Sequence, residues 1–146
     1  MANMNDYTKK ELKYHKLYMD IAYRVAEMSH SQRLKVGAIC VKNGNIISKG
    51  WNDMPPGFDN CCENSQNATK KEVLHAEQNM IIKLAKSTES VAGSVVYLTH
   101  SPCIECAKLM SMMDLEAVYY KEAYRCSDGV LHIQASGIKI ERLWAL

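Results

Sequence analysis

Two short segments constrain this chain more than anything else in it: LHAEQN at 74–79 and SPCIECAK at 101–108. The first sets His75 and Glu77 two positions apart. The second sets Cys103 and Cys106 three apart, a step that brings two side chains to one side of a helical turn. One imidazole and two thiolates suit tetrahedral zinc, and a site with three protein ligands keeps its fourth corner for water. Any fold must therefore bring residue 75 and residues 103–106 to one place. Alone, H-x-E is a common chance pattern, and C-x-x-C is also a redox or structural motif. Here both occur in chain order, each at the start of an apolar helical segment, with Pro102 directly before the first cysteine.

The pattern around these segments predicts alternating helices and strands. Tyr18, Ile21, Ala22, Val25 and Ala26 recur at helical steps, which predicts a helix from Thr8 to about Ser29 with one buried face. VGAICVK and NIISKG are β-type runs joined through Asn43-Gly44, the strongest short hairpin signal. Residues 51–71 carry Pro, Gly, Asn and Asp with little periodicity and read as a long loop. A second helix is expected from about Val73 to Lys86, with His75 in its first turn. VVYLTH reads as a buried strand, followed by a helix reaching about Met113, with Ser101 as cap and Pro102 at the first helical position. AVYYK and IKIERLW are strands, and residues 121–137 between them are long enough for a parallel crossover in which VLHIQAS forms a short helix. The expected fold is α/β: a three-layer α/β/α arrangement around a mixed five-stranded sheet, with an antiparallel N-terminal hairpin and the last two strands parallel.

With 146 residues, 47% of them apolar and 23% charged, the chain is read as a single domain over 1–146 with a core of ordinary size. No window reaches the roughly 20 apolar residues of a membrane span, and the opening MANMNDYTKKELKYH lacks a signal-peptide run, so a cytoplasmic location is expected. The six cysteines are then thiols or metal ligands rather than a disulfide framework. A formal net charge of +2 with intermixed signs is not the footprint of a nucleic-acid binder; a small substrate is expected. Met110, Met112 and Met113 read as core filler, and His15, His100 and His132 as packing or surface residues.

The chemistry explains the spacing. A helix start favours anionic sulfur at Cys103, and Glu77 sits beside the metal rather than on it, where it can move protons. H-x-E followed by P-C-x-x-C is the residue pattern of zinc deaminases, in which water activated at the metal attacks carbon 4 of cytosine and the glutamate protonates the ring and the leaving amine.

Beyond the zinc motif, KVGAICV, GWNDMPPG, NCCE, HAEQNMI, YLTHSPCIECAK and VYYKEAY follow in an order that resembles the deoxycytidylate (dCMP) deaminases over about residues 17–143. The resemblance implies a cytidine-deaminase-like fold and conversion of dCMP to dUMP on the way to thymidylate. It also implies one zinc on His75, Cys103 and Cys106, Glu77 as proton shuttle, and Asn52 in contact with the nucleotide. Ala76, Ser101 and Tyr124 are the further substrate-binding candidates. Arg33, Lys35, Lys121 and Arg125 are candidate phosphate donors by chain position, and Trp51 and Asp53 candidate effector contacts.

Many relatives are hexamers activated by dCTP, with Mg2+ accompanying the effector, and inhibited by dTTP; a homo-oligomer with these effectors is implied. The family pattern GYNGxPxG reads differently here at Trp51 and Asp53, in the loop that serves effectors. Some relatives hold a second, structural zinc, but Ser31 stands near one ligand position and no histidine lies between Cys62 and His75. Cys61 and Cys62 are therefore read as free thiols, with His30 as the one remaining nearby donor.

The rival readings are a tRNA adenosine or other nucleobase deaminase with the same zinc site, and a structural zinc module without activity. Asn79, Lys108 and His75 in place of cysteine favour the dCMP branch, and a structural module would close the site with a fourth ligand.

Overall fold

A computed structural model describes residues 3–146; residues 1 and 2 of the expected domain lie outside the described residues. After a short 3-10 turn at Met4–Asp6 come helix α1 (Lys9–Ala26), strands β1 (Gly37–Lys42) and β2 (Asn45–Trp51), and helix α2 (Ala76–Ala85). Strand β3 (Val95–His100), helix α3 (Ile104–Met110), strand β4 (Ala117–Glu122), helix α4 (Asp128–Ala135) and strand β5 (Lys139–Arg142) follow.

Local chemistry sets these elements. Thr8 Oγ1 accepts from Glu11 N at 3.1 Å while Glu11 Oε2 accepts from Thr8 N at 2.7 Å, a reciprocal cap that starts α1. Its buried stripe runs through His15, Tyr18, Met19, Ala22, Val25 and Ala26. The helix stops at Ala26, short of the expected Ser29. Its last amides shift to the tighter bonds Met28 N to Val25 O and Ser29 N to Ala26 O, and the Ser29 hydroxyl leaves to donate to Asn52 O. Asn43 and Gly44 both take positive φ, 50° and 76°, which the twisted two-residue hairpin between β1 and β2 requires.

The sheet order is β2-β1-β3-β4-β5, antiparallel through β2, β1 and β3 and parallel through β3, β4 and β5. The mixed α/β fold with parallel last strands is as the sequence predicts. Alternate strand residues feed two cores. Ala38, Cys40, Val96, Leu98 and Val118 pack with Ala76, Met80 and Leu84 of α2, Ala107 and Met110 of α3 and Ile133 of α4. Ile39, Val41, Tyr97 and Tyr119 face the other way, onto α1. One helix thus covers one face and three cover the other.

Several local expectations are corrected. His75 is the N-cap of α2 rather than a first-turn residue, because Leu74 is held extended by paired backbone bonds with Asp53, 2.9 and 3.1 Å long. Cys103, not Ser101, caps α3, and Pro102 precedes the helix. Ser101 is retained by the sheet: its N–H donates to Glu122 O at 2.9 Å, and its hydroxyl accepts from Tyr124 N at 2.6 Å. Helix α3 ends at Met110 rather than near Met113. Met110 is fully buried and Met113 packs on the core, but Met112 is 83% exposed and fills nothing. Helix α4 begins at Asp128, ahead of VLHIQAS, where Gly129 lets it close onto the loop before α3: a Cβ there would lie 2.1 Å from Pro102 O.

Candidate metal centre and catalytic cavity

The parallel strands β3 and β4 end side by side, the usual place for a site in an α/β sheet. Two N-caps meet there. His75 leads into α2, anchored by its N–H donating to Gln78 Oε1 at 2.8 Å, and Cys103 leads into α3. The Cys103 and Cys106 sulfurs lie 3.4 Å and 3.3 Å from His75 Nδ1. The three donor atoms fall within 4.8 Å of one another, and among the described residues no fourth histidine, cysteine, aspartate or glutamate joins the group. Two thiols and one imidazole at this spacing fit zinc with one coordination position left over.

The proton balance of this cluster is already polarised. Bonds from Cys106 and then from His75 stabilise the Cys103 thiolate and bring its pKa down to about 3. Cys106, the partner of that sulfur, is pushed up by the same bond and by burial. The bond to Cys103 raises His75 against the opposing effect of its burial. Glu77, in the first turn of α2 and only 4% exposed, is raised chiefly by burial, with a bond from Cys106 acting the other way. A buried carboxyl raised in this way holds a proton more readily than a free one, which suits a group that carries protons.

A cavity of about 590 Å³ opens over this cluster, within the range of small-molecule sites. His75, Glu77 and Cys103 line it, together with Asn52, Ala76, Ser101 and Tyr124, and with Arg33 and Arg125 from opposite ends of the chain. Asn52 is tied to the loop before β1: its Oδ1 accepts from Val36 N at 2.8 Å and its Nδ2 donates to Leu34 O at 2.7 Å. The Arg125 guanidinium lies 6.0 Å from the Tyr124 ring centroid.

Among the described residues Lys35, Lys121, Trp51 and Asp53 are not on this wall. Lys121 sits over the Tyr23 ring, and Trp51 lies under the Lys83 ammonium. The Asp53 carboxylate accepts from His30 at 2.7 Å, from the Cys62 thiol at 3.3 Å and from Trp51 Nε1 at 3.3 Å. Burial opposes the Asp53 charge, but the bonds from His30 and Cys62 outweigh it and hold the carboxyl below its usual range.

Sequence reasoning missed three features of the wall. His100, expected in a packing or surface role, lines the cavity with Nδ1 2.8 Å from Thr99 Oγ1; its place at the last position of β3, just before SPC, is the available signal. Ser31 belongs to the wall, as do Ala68 and Thr69 from the long loop, and no local pattern marks them.

The model of the cytidine and deoxycytidylate deaminase zinc-binding region matches residues 12–122. The deoxycytidylate deaminase of Enterobacteria phage T4 is 30% identical, over 73% of this chain and 76% of its own length. That of Homo sapiens is 31% identical, over 80% and 70%. The crystal structure of dCMP deaminase from the cyanophage S-TIM5 in complex with dCMP and dUMP is 44% identical, with a TM-score of 0.88, covering 94% of this chain and 100% of that one. The chain belongs to the zinc-binding cytidine and deoxycytidylate deaminase family, and it is a hydrolytic deaminase.

Proposed function

We propose that this chain, as one catalytic domain, converts dCMP and water to dUMP and ammonia, with His75, Cys103 and Cys106 as zinc ligands and Glu77 as the proton carrier. The observation that carries this reading is the meeting of the three donors beside a buried carboxyl on the wall of one cavity. The 44% identical cyanophage protein, crystallised with dCMP and dUMP, supports the choice of substrate.

Zinc held by these ligands would lower the pKa of a coordinated water to near 7, supplying the nucleophile at neutral pH. Glu77 takes the proton of the attacking water and gives it to ring nitrogen 3. It then carries the second proton from the hydroxyl added at carbon 4 to the amino group, which leaves as ammonia. Asn52, Ala76, Ser101 and Tyr124 orient the nucleoside; the second Nδ2 hydrogen of Asn52 is the group that reaches it. Arg33 and Arg125, the two guanidinium groups on the wall, receive the phosphate.

Supply of dUMP for thymidylate in the cytoplasm, activation by dCTP with Mg2+, inhibition by dTTP and assembly as a homo-hexamer belong to the same proposal, on family resemblance. Trp51 and Asp53 are its candidate effector contacts. Ammonia release should be compared for dCMP, dCTP, deoxycytidine and cytidine, with Glu77→Ala as the control. The reading requires dCMP to be the best of the four by kcat/KM; a better rate with cytidine or deoxycytidine overturns it.

A further inference from the structure

Part of the cavity wall is made by two segments without regular structure. One is the turn at 31–34, which contributes Ser31, Arg33 and Leu34; the other is the loop at 60–70, which contributes Ala68 and Thr69. The turn lies outside any ladder or helix, so its amides need partners from elsewhere. Ser31 N donates to Ser29 Oγ at 3.1 Å and Leu34 N to Ser31 Oγ at 3.5 Å, while one atom takes both amides between them. Glu63 Oε1 accepts from Ser31 Oγ at 3.0 Å, from Gln32 N at 2.8 Å and from Arg33 N at 3.1 Å.

Glu63 is itself buried and fixed. Its backbone pairs with Thr69, the adjoining Asn64 N donates to Ala68 O at 2.8 Å, and Lys70 N donates to Cys62 O at 2.8 Å. The Arg33 bond, joined by those from Gln32 and Ser31, holds the Glu63 carboxyl below its usual range, so it is an anion at neutral pH. Asn52 secures the other end of the same segment through Leu34 O and Val36 N. The Arg33 guanidinium forms no ion pair with an acidic side chain among the described residues.

We infer that Glu63 is a positioning residue for the phosphate end of the substrate: by gathering the backbone of 31–33 onto the 60–70 loop, it presents Arg33 to the cavity. The inference rests on the monophosphate reading above. Glu63 is not among the residues lining the cavity, and its carboxylate bonds to 31–33 rather than to the metal donors; it removes motion that Arg33 would otherwise have to lose on binding. A charge-assisted guanidinium–phosphate contact governs affinity for the phosphorylated substrate far more than the chemical step, and its loss costs roughly tenfold or more in binding.

The test is steady-state deamination of dCMP and of deoxycytidine by wild type, Glu63→Ala, Glu63→Asp and Glu63→Gln. Glu63→Ala should raise KM for dCMP roughly tenfold or more, and should lower kcat/KM for dCMP much further than for deoxycytidine. Glu63→Asp keeps the charge but withdraws the oxygen by about 1.5 Å, and should shift KM the same way even if the alanine variant fails to fold. Glu63→Gln retains an acceptor oxygen and should recover most of the wild-type KM. A double cycle with Arg33→Ala should be non-additive, because without Arg33 there is nothing for Glu63 to place. An unchanged KM in Glu63→Asp, equal losses on the two substrates, or full additivity with Arg33→Ala overturns the inference. A wild-type enzyme that does not favour dCMP over deoxycytidine sinks the monophosphate reading instead, before any Glu63 variant is compared.

Discussion

His75 Nδ1 and Cys106 Sγ lie 3.3 Å apart although 31 positions separate them in the chain. A bare contact of this kind has no structural use that an apolar pair would not serve better, since the Cys106 thiol is buried and pushed far toward its neutral form by Cys103 and by burial. A cation in place of the shared protons removes that penalty by holding the sulfurs as thiolates. Removal of zinc with a chelator should therefore lower thermal stability as well as abolish activity, and Cys106→Ala should purify without zinc. Metal analysis and a melting curve with and without chelator check both; an unchanged melting temperature after complete zinc removal contradicts this account.

Asn52 satisfies Val36 N and Leu34 O with its two side-chain ends. Asn52→Ala leaves the part-buried Val36 amide without that partner, a loss of about 1–3 kcal/mol. In a domain of this size each kcal/mol corresponds to roughly 2–4 °C in Tm. The expected fall is therefore several degrees, with a rise in KM for dCMP from the loosened wall. Calorimetry and steady-state kinetics on the same preparation read both.

Gly129 lies in α4, where alanine is intrinsically better by about 1 kcal/mol. Its missing Cβ would lie 2.1 Å from Pro102 O and 2.8 Å from the Cys103 carbonyl carbon, backbone atoms that cannot swing aside. Overpacking of this kind costs about 1–3 kcal/mol, so the clash should win. Gly129→Ala should melt lower than wild type and bind zinc more weakly, because the loop it displaces carries Cys103. A competition titration with a chromogenic chelator measures the second effect.

Burial lowers the pKa of His15, whose Nδ1 lies 2.8 Å from the Tyr97 hydroxyl between α1 and the sheet. Its folded-state pKa is below its unfolded value, so the unfolded chain binds more protons as pH falls through about 6.5. Its effect on stability is therefore absent above that pH and unfavourable below it. His100, also lowered by burial, has the same sign. The depressed carboxyls of Asp53 and Glu63 act lower, stabilising above their unfolded pKa near 4 and losing that contribution as pH falls through their folded values. Denaturant midpoints should fall in two stages, and His15→Gln should flatten the upper one.

The parts of this molecule that were legible in the sequence are those in which local chemistry and tertiary structure agree. Asn43-Gly44 forms the hairpin it announces, and the β-type run VGAICVK does form a strand, although only the fold shows that it feeds both cores. The pairs His75/Glu77 and Cys103/Cys106 carried their own spacing; the fold brings the donor atoms of His75, Cys103 and Cys106 within 4.8 Å of one another and puts Glu77 on the wall of the same cavity. The helix starts were misread where long-range backbone bonds override local caps: Asp53 keeps Leu74 extended, and Glu122 keeps Ser101 in the sheet. Glu63 carries no local signature at all. Its partners at 31–33 come from a segment some thirty positions earlier in the chain, and only the folded backbone brings the two together.

The most direct test is the rate of ammonia release from dCMP by Glu77→Gln carrying its full complement of zinc. The substitution keeps size and leaves the three metal donors in place, but removes the group that moves protons. The account predicts wild-type zinc content with a kcat lower by roughly two to four orders of magnitude. A fully zinc-loaded Glu77→Gln enzyme that turns over dCMP within a few-fold of wild type would contradict it.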